Sequence, residues 1–350
     1  VSDILWADGA RQRAFQQWLG EQAGPHRLEP SSVRPASADA SFRRYFRVDG
    51  REGGSFIIMD APPGHEDCRP FVQVAALLRD GGLNAPEVLA RDEAQGFLLL
   101  SDLGSRTFLA ELQAQDFSSR DGLKVVDGLY HSALESLIQL QRIEATSVPA
   151  YDRALLRREL DLFPEWYVHR HRGVTLDDTQ RQLLEDAFEL IIKVCEVQPT
   201  VLVHRDFHSR NLMVTGGAPG VLDFQDAVRG PVTYDLASLL RDAYIEWDEA
   251  IQIDWAARYW ERARKAGLPV GDDFGTFWRD FEWMGLQRHL KVLGIFARLN
   301  HRDGKDGYLK DLPLVWRYAH HVASRYSVLR PLSRLLEHIE NVEVKFGYTF

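Results

Sequence analysis

Cysteine is almost missing: Cys68 and Cys195 are the two thiols in 350 residues. They show no metal-ligand spacing, which excludes a disulfide framework and a zinc module and suits idle thiols in a reducing compartment. No run of about 18 apolar residues occurs, so no membrane-spanning helix and no membrane partner are expected. A basic excess is lacking as well. Lys and Arg number 42 against 51 Asp and Glu, a net charge of −9. That argues against a nucleic-acid partner, while a nucleotide remains possible because a metal ion neutralises phosphate locally. The first residues, Val1-Ser2-Asp3-Ile4-Leu5-Trp6, hold no basic stretch ahead of an apolar one. No secretory signal is expected, and a cytoplasmic location is. What is present is ordinary globular material, 45% hydrophobic and 27% charged, enough for about two domains.

The texture changes along the chain. Residues 1–24 read as a helix ended by Gly24-Pro25. Phe42–Val48, Phe56–Met59 and Phe97–Leu100 are short strand-like runs separated by turns such as Asp49-Gly50 and Gly53-Gly54, which predicts antiparallel strands. A helix over Pro70–Asp80 interrupts them and stops at Gly81-Gly82. Beyond about 107 helical spacing dominates, with stripes Leu123, Val126, Tyr130, Leu134, Leu137, Leu140 and Leu183, Ala187, Leu190, Ile191, Val194. Further helices are expected near 233–246, 252–266, 273–299 and 313–327. The pattern is α+β: a small β-rich N-lobe over 1–104, a connector near 101–106, and a larger, mainly helical C-lobe over 105–350.

One β-rich island, Thr200–Phe224, interrupts the helices. It contains His204-Arg205-Asp206, then Asn211, then strands Leu212–Val214 and Val221–Leu222 around a glycine-rich turn, then Asp223-Phe224. A hairpin centred on Gly217 puts Asn211 opposite Asp223, with Cα atoms about 4.5–5.5 Å apart. An amide oxygen and a carboxylate at one end of a ladder are hard ligands suited to Mg²⁺. Asp206 then lies beside a metal-phosphate site, where a carboxylate can accept a hydroxyl proton. The order H-R-D-x-x-x-x-N followed by D-F is also that of protein kinases.

The island, with His208 inside the loop, resembles the aminoglycoside phosphotransferase-type small-molecule kinases, and Leu99-Leu100-Ser101-Asp102-Leu103-Gly104 resembles their adenine-holding hinge. The resemblance covers roughly residues 35–300 and implies a two-lobed, protein-kinase-like fold with ATP and Mg²⁺ between the lobes. By it, Asp206 is the catalytic base, Asn211 and Asp223 hold Mg²⁺, and Asp235 braces the catalytic loop together with His204. Leu100, Asp102 and Leu103 fall at the nucleotide. Within that family, Asp223–Asp242, Ser41–Arg47 and Met59-Asp60-Ala61-Pro62-Pro63 are similar to the anomeric amino-sugar kinases of bacterial cell-wall recycling. This implies transfer from ATP to the C1 hydroxyl of N-acetylmuramate and/or N-acetylglucosamine; a monomer with no obligate protein partner is expected.

The sequence departs from the family at the third strand, where Met59 stands in place of the usual Lys, and at the following helix, where Gln73 stands in place of its Glu partner. The phosphates then need another cation, and Arg43 or Arg44 is the candidate, one of the two facing the nucleotide. The presumed phosphate loop, 36–41, offers Ser37 and Ser41 rather than glycines. A lactyl carboxylate on the sugar calls for an arginine, for which Arg210 and Arg241 are candidates. Most tryptophans read as core, while Trp166, Tyr167 and Trp247 are possible pocket residues. The last residues, 341–350, read as a β-type tail. Two other activities stay open. An aminoglycoside or amino-alcohol kinase would want an acidic pocket, yet Arg288, Lys291 and Arg298 accompany Asp280 and Glu282. A nucleotide-binding pseudokinase would explain the missing Lys but not the intact Asp206, Asn211 and Asp223.

Overall fold

The computed structural model describes Ile4, Trp6, residues 8–38 and residues 42–341. Ser41 of the expected phosphate loop and nearly all of the expected tail, 342–350, lie outside the described residues. In chain order the elements are α1 (Gly9–Ala23), β1 (Leu28–Ala38), β2 (Arg44–Gly50), β3 (Ser55–Asp60), α2 (Arg69–Asp80), β4 (Val88–Asp92), β5 (Phe97–Ser101), α3 (Phe108–Gln113) and α4 (Arg120–Gln141). There follow α5 (Arg153–Leu160), a π-helix (Phe163–His171), α6 (Asp178–Glu196), β6 (Thr200–Val203), β7 (Leu212–Met213), β8 (Gly220–Val221) and β9 (Val228–Pro231). The last helices among the described residues are α7 (Tyr234–Leu240), α8 (Glu249–Lys265), α9 (Phe274–Asp303), α10 (Leu312–Arg325) and α11 (Arg330–Glu340).

The N-terminal unit is built on an antiparallel sheet of order β1-β2-β3-β5-β4. Asp8 caps α1 by accepting from the Ala10 amide at 2.8 Å. Phe15, Trp18, Leu19 and Ala23 share one helical face and bury against Phe46, Val48, Ile58, Phe97 and Leu99 of the sheet. Phe46 and Val48 alternate with less buried neighbours in β2, whereas Phe97–Leu100 of β5 are buried without a break. β1 escapes the sequence pattern because Pro30 and Pro35 interrupt it; proline lacks an N–H and is tolerated on an edge strand, which β1 is. β4 is the other edge. Phe42 is exposed, and the strand expected from it begins at Arg44.

The hairpin β7–β8 joins this unit through bridges Asn84–Gly220 and Thr107–Met213. A Cβ on Gly220 would stand 3.0 Å from both Leu103 Cδ1 and Met213 Cβ, so glycine permits that approach. The compact units are therefore Val1–Leu140 with Arg210–Asp226, and Gln141–Ser209 with Ala227–Phe350. A single break after Gly104 does not describe them, because the bridges attach the hairpin to the sheet-bearing unit.

In the C-terminal unit every residue of α9 from Phe281 to Gly294 is buried, because α5, α6, α7, α10 and the π-helix all pack on it. Gly294 sets one of these approaches: a Cβ there would lie 2.5 Å from the Leu162 carbonyl carbon. Gly294→Ala is expected to lower stability by about 1–3 kcal/mol through overpacking against backbone, read as a reduced urea midpoint with an unchanged slope. Nearby, β6 pairs with β9 from Thr200–Pro231 to Val203–Val228, and this short ladder delivers the chain to His204.

Candidate active site

Both ends of the loop His204–Ser209 are pinned within the C-terminal unit. The His204 and Arg205 amides donate to the two oxygens of buried Asp235 at 2.6 and 2.9 Å. Ser209 donates through its amide, at 3.0 Å, and its hydroxyl, at 2.5 Å, to Asp242. Burial pushes the Asp235 carboxyl up to about 7, against the two amides that favour its ionised form. Between these anchors Asp206 keeps 40% of its side chain exposed, with Arg288 Nη2 3.7 Å from its Oδ1. Burial alone would raise the Asp206 carboxyl; Lys291 and Arg288, with His208 and Arg205, outweigh it and hold the group well below the usual carboxylate range. A fixed, ionised, accessible carboxylate can accept a proton from a hydroxyl presented to it.

Behind Asp206 lies a buried charge network that sequence reading missed. Glu159 of α5 is ion-paired with Arg205, accepts from the Tyr151 hydroxyl, and accepts from Gln287 Nε2 at 3.1 Å. Lys291 Nζ lies 3.1 Å from Glu159 and donates to the Tyr234 hydroxyl at 2.9 Å. Arg288 donates to Ser238 Oγ at 2.8 Å. One sequence signal for the network existed: Arg288 and Lys291 are charges inside a helix whose apolar residues already cover every face. Burial would raise the Glu159 carboxyl, but Lys291 and Arg205 hold it down to about 2. A carboxyl depressed in the folded state contributes stability above its unfolded value and loses it as pH falls through the folded one. Stability is therefore expected to drop by about 3 kcal/mol on this account between pH 5 and pH 2. Urea unfolding over that range checks it, and Glu159→Gln starts less stable but has a flatter acid limb.

In the N-terminal unit, Leu212 pairs with Val221 and the Leu222 amide donates to the Asn211 carbonyl at 2.9 Å. The hairpin register is thus one residue off the expected one: Asn211 stands opposite Leu222, not Asp223. A one-residue slip would ordinarily turn the side chains to opposite faces. Asp223 instead adopts φ 63°, and this left-handed bend accompanies a 3.4 Å contact in which Asn211 Nδ2 donates to Asp223 Oδ2. Gln225 Nε2 donates to Asp223 Oδ1 at 2.8 Å. Arg43 Nη2 stands 3.8 Å from Asp223 Oδ1, and Arg43 Nε stands 3.9 Å from Glu66. Asp223 is one-third exposed. Amide and carboxylate oxygens of this kind fit a hard divalent cation.

The two candidate arginines separate clearly. Arg43 goes to Asp223 and Glu66, whereas Arg44 pairs with fully buried Asp60 and lies over the Trp6 ring at 4.2 Å. Arg11 holds the other Asp60 oxygen at 2.6 Å. Glu66, which has no spacing signal, also accepts from the Phe42 amide at 3.1 Å. Met59 and Leu100 are 0% and 2% exposed, so their side chains as placed give a nucleotide no surface, contrary to expectation. The Asp102 carboxylate is likewise consumed: Arg47 donates to it at 2.5 and 3.0 Å, Ser55 Oγ at 2.6 Å and the Gly104 amide at 2.9 Å. What Asp102 retains for a nucleotide is its backbone, while Leu103 is half-buried. Ser37 sits on β1 opposite Tyr45. Arg210 is half-buried at the start of the hairpin segment. Arg241 is not at a surface at all: it is 2% exposed, donates to Glu282 and Gln252, each at 3.0 Å, and lies over the Phe281 ring. Tyr167 and Trp247 are core, and Arg170 lies over the Trp166 ring.

The family model that matches the chain is that of the phosphotransferase enzyme family, over residues 32–273. The chain belongs to this family. A relative from Neisseria meningitidis serogroup B, named N-acetylmuramate/N-acetylglucosamine kinase, is 48% identical over 97% of this phosphotransferase and 99% of its own length. One of the same name from Pseudomonas putida is 45% identical over 94% and 97%. The ADP-bound structure of an aminoglycoside phosphotransferase superposes with a TM-score of 0.57 at 15% identity, covering 94% of this chain and 99% of that one. The phosphotransferase thus has a kinase-like fold, an N-terminal antiparallel sheet followed by a mostly helical part. No helix among the described residues is long and apolar enough to cross a membrane.

Proposed function

We propose that this phosphotransferase moves the γ-phosphoryl group of ATP to the anomeric hydroxyl of N-acetylmuramate and/or N-acetylglucosamine, as a cytoplasmic monomer serving salvage of cell-wall sugars. The observation that carries this is identity of 45–48% over nearly the full length to relatives named for those two sugars. Asp206 is read as the group that orients the C1 hydroxyl and takes its proton as the oxygen attacks the γ-phosphorus and ADP departs. Asn211 and Asp223 are read as the ligands of Mg²⁺, which when bound neutralises phosphate charge. Arg43, held beside Asp223 and backed by Glu66, is read as the cation that serves in place of a third-strand Lys. Backbone groups of Asp102 and Leu103 are read as the adenine contact, and Arg210 as a contact to the sugar. Most of the rate comes from positioning and fixed charge rather than from base strength.

Phosphorus-31 NMR of the protein with Mg-ATP and each sugar tests this directly. A sugar-phosphate doublet coupled to the anomeric proton is the expected result. ADP appearing without that doublet, or no loss of ATP with either sugar, would overturn the assignment. The second outcome would favour the pseudokinase.

A further inference from the structure

Arg205 adopts φ 77°. An L side chain pays for the left-handed region and stays there only where its surroundings over-determine the backbone. Two restraints are on hand. Asp235 takes the two amides that lead into the bend, those of His204 and Arg205. Glu159 takes the guanidinium, and Glu159 is itself fixed by Tyr151, Gln287 and Lys291. The residue after the bend is Asp206. We infer that Glu159 and Arg205 are positioning residues: the buried carboxylate is a built-in counter-anion that holds the Arg205 bend and thereby aims Asp206. In kinases whose loops are ordered by phosphorylation, new pairs between arginine and phosphate do such work. Here the anion is a buried side chain of the chain itself, so the loop is assembled without covalent modification.

The inference rests on reading Asp206 as the acceptor of the hydroxyl proton, and the experiment separates the two. Arg205→Ala and Arg205→Gly remove the same guanidinium and differ by one methyl group. If the side chain acts by holding the bend, Arg205→Ala lowers kcat on the order of 10-fold with KM for the sugar within about 2-fold. Arg205→Gly, for which φ 77° carries no steric cost, then recovers at least half of that loss on a logarithmic scale. Amide hydrogen exchange of the segment 203–209, which needs no turnover, should rise in Arg205→Ala and return towards wild type in Arg205→Gly. Glu159→Gln should raise it too. Equal losses in the two Arg205 variants, or unchanged exchange in Arg205→Ala, would overturn the positioning role. Wild-type protein that transfers nothing to either sugar while the exchange pattern holds would sink the functional reading and leave the loop device standing.

Discussion

Asp206→Asn is expected to lower kcat by roughly two to four orders of magnitude, with KM for ATP little changed. The substitution keeps the shape and removes the carboxylate proposed as proton acceptor. Activity does not fall to the uncatalysed level, because orientation of the two substrates and the fixed cations survive. The size of the loss has a second cause. Arg288 stands 3.7 Å from the carboxylate, and a neutral amide leaves that buried guanidinium with less opposing charge. The melting temperature should therefore be measured alongside, so that kcat is expressed per folded molecule. The pH dependence gives an independent check. Since the cations hold Asp206 well below the usual carboxylate range, its proton loss places no acid limb on wild-type kcat above about pH 4. An acid limb near pH 6–7 assigned to Asp206 by its absence in Asp206→Asn would contradict the electrostatics of the loop. Wild-type turnover in Asp206→Asn would remove Asp206 from the mechanism.

The candidate residues were far easier to pick out than the groups that hold them. His204, Asp206, Asn211, Asp223 and Asp235 lie in one stretch of 32 residues, and local order along a chain is what sequence spacing encodes. Their detailed geometry was not legible. The hairpin is one residue out of the expected register, and the left-handed Asp223 that accompanies the Asn211 contact has no signature in residue type. The edge strands escaped notice, β1 because its prolines dilute the apolar alternation and β4 because it is short and half-buried. The stripe expected on α6 is only partly right: Ala187 and Ile191 are buried as expected, but Leu184, Phe188 and Ile192 are buried too, whereas Leu183 is half-buried and Leu190 is exposed. Both choices fit a period of 3.6, and only tertiary packing decides between them. Glu159, Lys291 and Arg205 were unreadable as a group because three separate segments supply them. Arg241 misled for the opposite reason. An arginine just past a catalytic motif suggests a ligand, yet Glu282 from α9 claims it.

The proposal that Arg43 serves in place of a third-strand lysine makes the other large prediction, because Arg43 and its neighbour Arg44 serve as each other's control. Arg43→Ala is expected to lower kcat/KM for ATP by roughly 10²–10³-fold, the scale of losing one fixed charge donor in a phosphoryl-transfer site. Arg44→Ala is expected to act on stability instead. It leaves buried Asp60 with Arg11 as its remaining arginine and strips a cation from the Trp6 ring, at a cost of about 1–3 kcal/mol. Kinetic constants of Arg44→Ala, per folded molecule, should stay within a few fold of wild type. Glu66→Gln tests the backing of Arg43. Its carboxylate lies 3.9 Å from Arg43 Nε, so its loss lets the guanidinium shift, and KM for ATP should rise more than kcat falls. A reversed outcome, with Arg44→Ala catalytically dead and Arg43→Ala merely unstable, would mean that Asp60 gives up Arg44 when nucleotide binds. Equal mild effects from both would mean that the charge facing the phosphates comes from neither arginine.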